Sequence, residues 1–202
     1  MPPDWQLSVW LTSLAGDYPA LDELMKVIAS NYFAPRVSAL IVLFLWFGTR
    51  DSVRREHTQK VIVCVAAAML LGFLTAELIS LIQFHCGDLW ARPYDNHPEA
   101  RKAMELLYFT LPDSSFPSAA MCGLAAVAAG LWCVDRRASA LVWILVGLWG
   151  FGRIYVGIHY PIDVAGGMLI GVLSAFVGLK LTQAADPAVS SLVRLGKRVY
   201  IA

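Results

Sequence analysis

Five apolar runs, at residues 33–48, 61–84, 116–134, 138–151 and 161–181, punctuate the chain and constrain its fold more than any other feature. A helix needs about 20 such residues to cross the roughly 30 Å hydrocarbon core, and about 17 where the bilayer adapts. Lipid offers no partners to open backbone groups, and the runs lack the period-two alternation of barrel strands, which leaves helices. The expected fold is therefore all-α: one domain over residues 1–202, a polytopic membrane bundle of about five to six transmembrane helices with an N-terminal interfacial amphipathic segment. The first and fourth runs are the shortest. Composition points the same way, because 58% of the residues are hydrophobic and 15% charged, against about 45–50% and about 25% in soluble domains.

The interfacial reading of residues 4–29 rests on Asp17, Pro19, Asp22, Glu23 and Lys26, which interrupt an otherwise apolar stretch; a broken first span is the alternative. The acidic start lacks the basic region of a signal peptide, so cleavage is not expected. Sixteen Lys and Arg against fifteen Asp and Glu give a formal net charge of +1, with no footprint for nucleic acid. Cys64, Cys86, Cys122 and Cys133 show no CxxC spacing and read as small core residues, not as a zinc site or a disulfide framework. Glu77, inside the second run, reads as a buried carboxylate that is paired with a neighbouring helix or protonated, without a catalytic role.

Loop charge orients the bundle. Arg50, Arg54, Arg55 and Lys60, then Arg136 and Arg137, then Arg194, Lys197 and Arg198 fall on one side, the expected cytoplasmic side. The loop 85–115 and the connection 152–160 then face outward. Trp5, Trp10, Trp90 and Trp149 fit an aromatic belt at that boundary, and equally serve as apolar filling.

Three polar clusters belong to the outward side: Arg92-Pro93; Asp113-Ser114-Ser115-Phe116-Pro117-Ser118-Ala119-Ala120; and Arg153 with His159, Pro161 and Asp163. Two arginines supply forked donors for phosphate oxygens, and a helix starting near Pro117 adds backbone N–H groups and the Ser118 hydroxyl. Pro161 suits a first helical turn, which puts Asp163 one turn beyond His159, where a carboxylate can hold one imidazole nitrogen and leave the other to act as nucleophile or base. Singly, the arginines also read as snorkelling to headgroups and the His–Asp pair as a buried cap. Together on one face they read as an anion site with a nucleophile. Between Tyr94 and Asp113, Leu106, Leu107, Tyr108, Phe109 and Leu111 read as a lipid-facing lid with Arg101 and Lys102 as anion attractors, or else as a plain solvated helix.

The order and spacing of these clusters resemble the type 2 phosphatidic acid phosphatase superfamily, whose motifs run Lys-x6-Arg-Pro, Pro-Ser-Gly-His and Ser-Arg-x5-His-x3-Asp. Arg92-Pro93, Pro117-Ser118 and Arg153, His159 and Asp163 fall in register. The strings Arg-Pro-Tyr, Asp-Ser-Ser-Phe-Pro-Ser and Arg-Ile-Tyr-Val-Gly-Ile-His-Tyr-Pro-Ile-Asp are most similar to the undecaprenyl diphosphate phosphatase branch. The resemblance implies His159 as a nucleophile forming phosphohistidine, Asp163 as its orienting partner, and Arg92, Arg153, Ser118 and Ala119 at the phosphate. It implies no metal and no cofactor.

Three positions depart from the family pattern. His85 stands for the first Lys, Gly152 for the third-motif Ser, and Ala119-Ala120 for Gly-His. His85 and His97 are expected as accessory groups. In the family the second-motif His protonates the leaving oxygen, a task worth about 10²–10⁴-fold, which Ala120 cannot perform. The otherwise intact site favours replacement of that histidine, leaving an inactivated protein, over natural variation. The expected activity is removal of phosphate from a membrane lipid, polyprenyl diphosphate above all. The alternatives are a broad phosphatase of phosphatidylglycerophosphate or phosphatidic acid, a phosphotransferase using the same nucleophile, and a non-catalytic lipid-phosphate binder.

Overall fold

The structure, a computed structural model, describes residues 4–48, 51–87, 90–111, 114–184 and 186–198. Asp113, Arg50 and the side chains of Lys197 and Arg198 lie outside that description. The described residues form helices α1 (Trp5–Ser13), α2 (Pro19–Ala29), α3 (Phe33–Gly48), α4 (Ser52–Cys86), α5 (Pro93–Asn96), α6 (Pro98–Leu107), α7 (Ala119–Leu131), α8 (Arg136–Tyr155), α9 (Pro161–Ala184) and α10 (Asp186–Arg198). Every apolar run lies in or across a helix.

Local chemistry sets the helix ends. Asp51 accepts a hydrogen bond from Val53 N at 3.0 Å to start α4, and Gly87, at φ 73°, closes it in the left-handed conformation. Asp135 accepts from Arg137 N and Ala138 N at 2.8 and 2.9 Å, which separates α7 from α8 by a tight turn. With 35 residues, α4 is ~52 Å long and outruns the hydrocarbon core. Its first turns accordingly carry Arg54, Arg55, Glu56 and Lys60, and Lys60 reaches Asp186 of α10 at 3.2 Å.

By length and composition, α4, α8 and the Pro161–Leu181 part of α9 each suffice to cross a membrane. Helices α2 and α3, bent by 51° at residues 30–32, qualify together as a fourth, broken span, the alternative left open for the N-terminal region. At 13 residues, α7 is an apolar helix too short to cross by itself. It is instead enclosed, with Met121, Cys122, Ala125, Ala126 and Ala128 fully buried between α4 and α9. Small residues permit this closeness: a Cβ on Gly167 of α9 would sit 2.6 Å from the Ser118 carbonyl oxygen.

A second core caps one end of the bundle. Met25, Ile28, Met104, Leu107, Tyr155 and Ile158 join α2 and α6 to the end of α8. Asp22 fastens it, accepting from Tyr155 Oη at 2.7 Å and from Gly16 N at 3.0 Å. The lipid-facing flanks of α4 and α9 show the opposite pattern, with Phe84, Leu169, Phe176 and Leu181 exposed.

Two expectations for isolated residues require correction. Glu77 is exposed, because the helical period that turns Gly72 and Ala76 inward carries position 77 outward with Leu74 and Leu78. Cys64 and Cys122 are buried, but Cys86 and Cys133 are exposed, since each sits where a helix ends.

Candidate active site

The three polar clusters converge at the capped end, opposite the α7–α8 turn. Pro161 starts α9, and the connection before it turns sharply at Gly157, whose φ of 78° and whose approach to the Ala100 carbonyl oxygen, 2.5 Å from where a Cβ would stand, both require glycine. That turn presents His159, 3% exposed, to the start of α7.

Imidazole Nε2 of His159 lies 3.2 Å from Ser118 Oγ, and Nδ1 faces Asp163 Oδ2 at 3.7 Å, an electrostatic contact longer than a hydrogen bond. Burial pushes the His159 pKa down to about 4; Asp163 opposes the shift, and the charges of Arg92 and Arg153 reinforce it. The ring is thus neutral at neutral pH. With the proton on Nδ1 toward the carboxylate, Nε2 holds the lone pair a nucleophile needs.

Asp163 has no exposed surface. Its Oδ2 accepts from Ser115 Oγ at 2.5 Å and from Tyr160 N at 2.7 Å, so it caps its own helix while facing the imidazole. Ser118 is the N-cap residue of α7, yet its hydroxyl makes no cap bond and is directed to His159 instead. The first-turn N–H groups of α7, Ala119 and Ala120 among them, therefore gain no cap from the Ser118 side chain. Ala120 is half-buried against the apolar core and brings no titratable group.

Both arginines are buried. Arg92 donates through Nη1 to Ile158 O at 2.8 Å and through Nη2 to Ser114 O at 3.2 Å, tying the first cluster to the other two. Arg153 lies over the Trp149 ring, 4.5 Å from its centroid, and donates through Nη2 to Asn31 Oδ1 and, at 3.5 Å, to Tyr108 Oη. Burial raises the Tyr108 pKa above 10 against the lowering effect of Arg153, so its phenol keeps its proton.

The two accessory histidines stand apart from this pocket. His85 is exposed on the last turn of α4, its Nδ1 2.9 Å from Leu81 O of the same helix. His97 is buried behind Tyr160, stacked on Trp5 at 5.4 Å. In the lid region, Leu106 and Phe109 are exposed while Leu107 is buried beneath them, and Arg101 Nε is engaged by Tyr94 O at 3.1 Å. Ser115 and Asn31 are neighbours of the site that received no role from sequence, and Tyr108, read there as part of a lipid-facing lid, turns its hydroxyl to Arg153. Ser115 lies inside the second polar string, which was its signal; Asn31 had none beyond a short polar break between apolar stretches.

Gly152, at the family's serine position, has a structural cause. A Cβ there would come within 3.1 Å of Ala29 N and 2.9 Å of Ile28 Cγ2, so the close seating of α2 leaves no room for a side chain. Among the described residues, no group of three or more His, Cys, Asp and Glu side chains is placed to hold a metal ion.

A profile of the PAP2 superfamily matches residues 62–186. The chain is 29% identical over 176 residues to the undecaprenyl-diphosphatase BcrC of Bacillus subtilis (strain 168), covering 87% of this chain and 82% of that protein. Its fold is similar to the crystal structure of Aquifex aeolicus LpxE, with a TM-score of 0.57, 24% identity and coverage of 89% and 96% of the two chains. It is also similar to a transmembrane PAP2 type phosphatidylglycerolphosphate phosphatase from Bacillus subtilis, with a TM-score of 0.54, 20% identity and coverage of 89% and 86%.

Proposed function

Because the chain belongs to the PAP2 superfamily and is a multi-pass membrane lipid phosphatase by kind, we propose that its site is built to take the terminal phosphate from a polyprenyl diphosphate, through a phosphohistidine at His159. One observation carries the reading: a buried imidazole points Nε2 toward the Ser118 hydroxyl at 3.2 Å, at the end of the bundle where Arg92 and Arg153 are also buried. The similarity to an undecaprenyl-diphosphatase favours the polyprenyl substrate over the phospholipid phosphates.

In the first step the Nε2 lone pair forms a bond to the terminal phosphorus and the bond to the bridging oxygen breaks, releasing lipid monophosphate. Arg92, Arg153 and the α7 N–H groups balance the charge on the phosphoryl oxygens. Asp163 steadies the imidazolium character that develops. Water then attacks the phosphohistidine, giving inorganic phosphate and free His159. The leaving oxygen needs a proton, and Ala120 has none to give, so in this chain the proton must come from water and the first step is slow. The site faces the extracytoplasmic side, since the basic turns lie at the other end of the bundle.

The test is a trap. Protein incubated with polyprenyl diphosphate labelled at the terminal phosphate and quenched in alkali, where phosphohistidine survives, is expected to carry label that is absent in His159→Ala. Label retained in His159→Ala overturns the assignment; label passed to an added lipid acceptor instead of released phosphate identifies a phosphotransferase.

A further inference from the structure

Arg153 is held from outside the matched family region. Its Nη2 donates to the carboxamide oxygen of Asn31, and the same oxygen accepts from Tyr108 Oη at 3.2 Å. Asn31 lies in the bend between α2 and α3, while the family profile begins only at residue 62. The bend is itself pinned to α8. Trp149 Nε1 donates to Ala29 O at 3.2 Å and to Ser30 O at 3.0 Å, and Gly152 lets the Ala29 backbone close against the helix. The Trp149 ring also supports the guanidinium from one side. Two residues of α8, Trp149 four positions before Arg153 and Gly152 one before it, therefore fix the segment that aims Arg153.

We infer that Asn31 is a positioning residue of the phosphate site: the broken N-terminal span delivers a neutral acceptor that orients the Arg153 guanidinium without cancelling its charge. The neutrality is the chemical point. A carboxylate here would hold the guanidinium as firmly but would compensate the positive charge and repel the incoming anion. A carboxamide supplies direction alone. Tyr108, a protonated phenol donating to the same oxygen, fixes which way the carboxamide faces. The inference rests on the reading of Arg153 as a phosphate ligand.

The experiment measures orthovanadate binding to the purified full-length chain in detergent by calorimetry, a readout independent of turnover. Asn31→Ala is expected to weaken binding by about fivefold or more, the scale of one net hydrogen bond. Asn31→Asp is expected to weaken it further, about tenfold or more, although it keeps the size and the acceptor. In an Arg153→Ala background, neither change is expected to matter. Binding by Asn31→Asp that equals the starting protein overturns the charge argument and with it the inference. The inference also fails if Arg153→Ala weakens binding while Asn31→Ala does not, or if the Asn31→Ala loss persists without Arg153; in both cases the phosphate-site reading survives. Unchanged binding in Arg153→Ala removes that reading as well.

Discussion

Ser118 begins α7 without capping it, its hydroxyl turned 3.2 Å from Nε2 of His159 in the loop before α9. The first turn of one helix and the proposed nucleophile in the loop before another thus share one small volume, and the residue two positions into that turn's sequence is Ala120. Ala120→His would put an imidazole at the family's acid position. Turnover of polyprenyl diphosphate in detergent is expected to rise by about 10²-fold or more. Equal rates before and after the change would remove position 120 from the mechanism.

The buried histidine makes stability pH-dependent in one direction. Its folded pKa of about 4 lies below the ordinary 6.5, so between those values the unfolded chain binds a proton that the folded chain refuses. Stability contributed this way is complete above pH 6.5 and is lost as pH falls toward 4. The melting temperature in detergent is expected to drop across that window, and the drop to be smaller in His159→Asn. A slope that is identical in both proteins would mean other groups set it.

Ser115 tests the support beneath the proposed nucleophile. Its hydroxyl donates at 2.5 Å to a carboxylate with no exposed surface. Ser115→Ala is expected to cost about 1–3 kcal/mol, the penalty for a buried acceptor that loses a donor. Thermal unfolding measures it, and a variant as stable as the starting protein would show that the Tyr160 N–H alone suffices.

Sidedness is open to a test that needs few new residues, because Cys86 and Cys133 are exposed at opposite ends of the bundle. A membrane-impermeant thiol reagent applied to intact cells is expected to label Cys86 and spare Cys133. The reverse pattern would turn the pocket toward the cytoplasm.

Much of the architecture was legible because membrane length and polar spacing are local signals. The third cluster shows this well: Pro161 fixes a helix start, and Asp163 must then lie one turn from His159. Where spacing was the only warrant it misled. His85 has the sequence separation of the family lysine from Arg92, yet it remains on its own helix and bonds to Leu81 O. From sequence Glu77 reads as buried, wrongly, because the apolar run around it hides the helical period that sets it with the outward residues. Asn31 and Tyr108 reach Arg153 through the bend between α2 and α3 and the extended chain after α6, geometries that have no periodic signature. The Gly152 departure became intelligible once Ala29 was seen lying against it.

The bond from Ile162 N to Asp4 Oδ2, at 2.6 Å, joins residues 158 positions apart. It has a consequence for biogenesis. Asp4 and the start of α9 that donates to it are separated by 158 positions, all of which must be synthesised before the two can meet. Until α9 inserts, Ser118 and Arg92 have neither His159 nor Asp163 beside them, so no partial product of translation holds the pocket. Insertion of α9 behind α8 is the event that completes it, and nascent chains arrested before residue 159 carry the arginines and hydroxyls without the His159 imidazole.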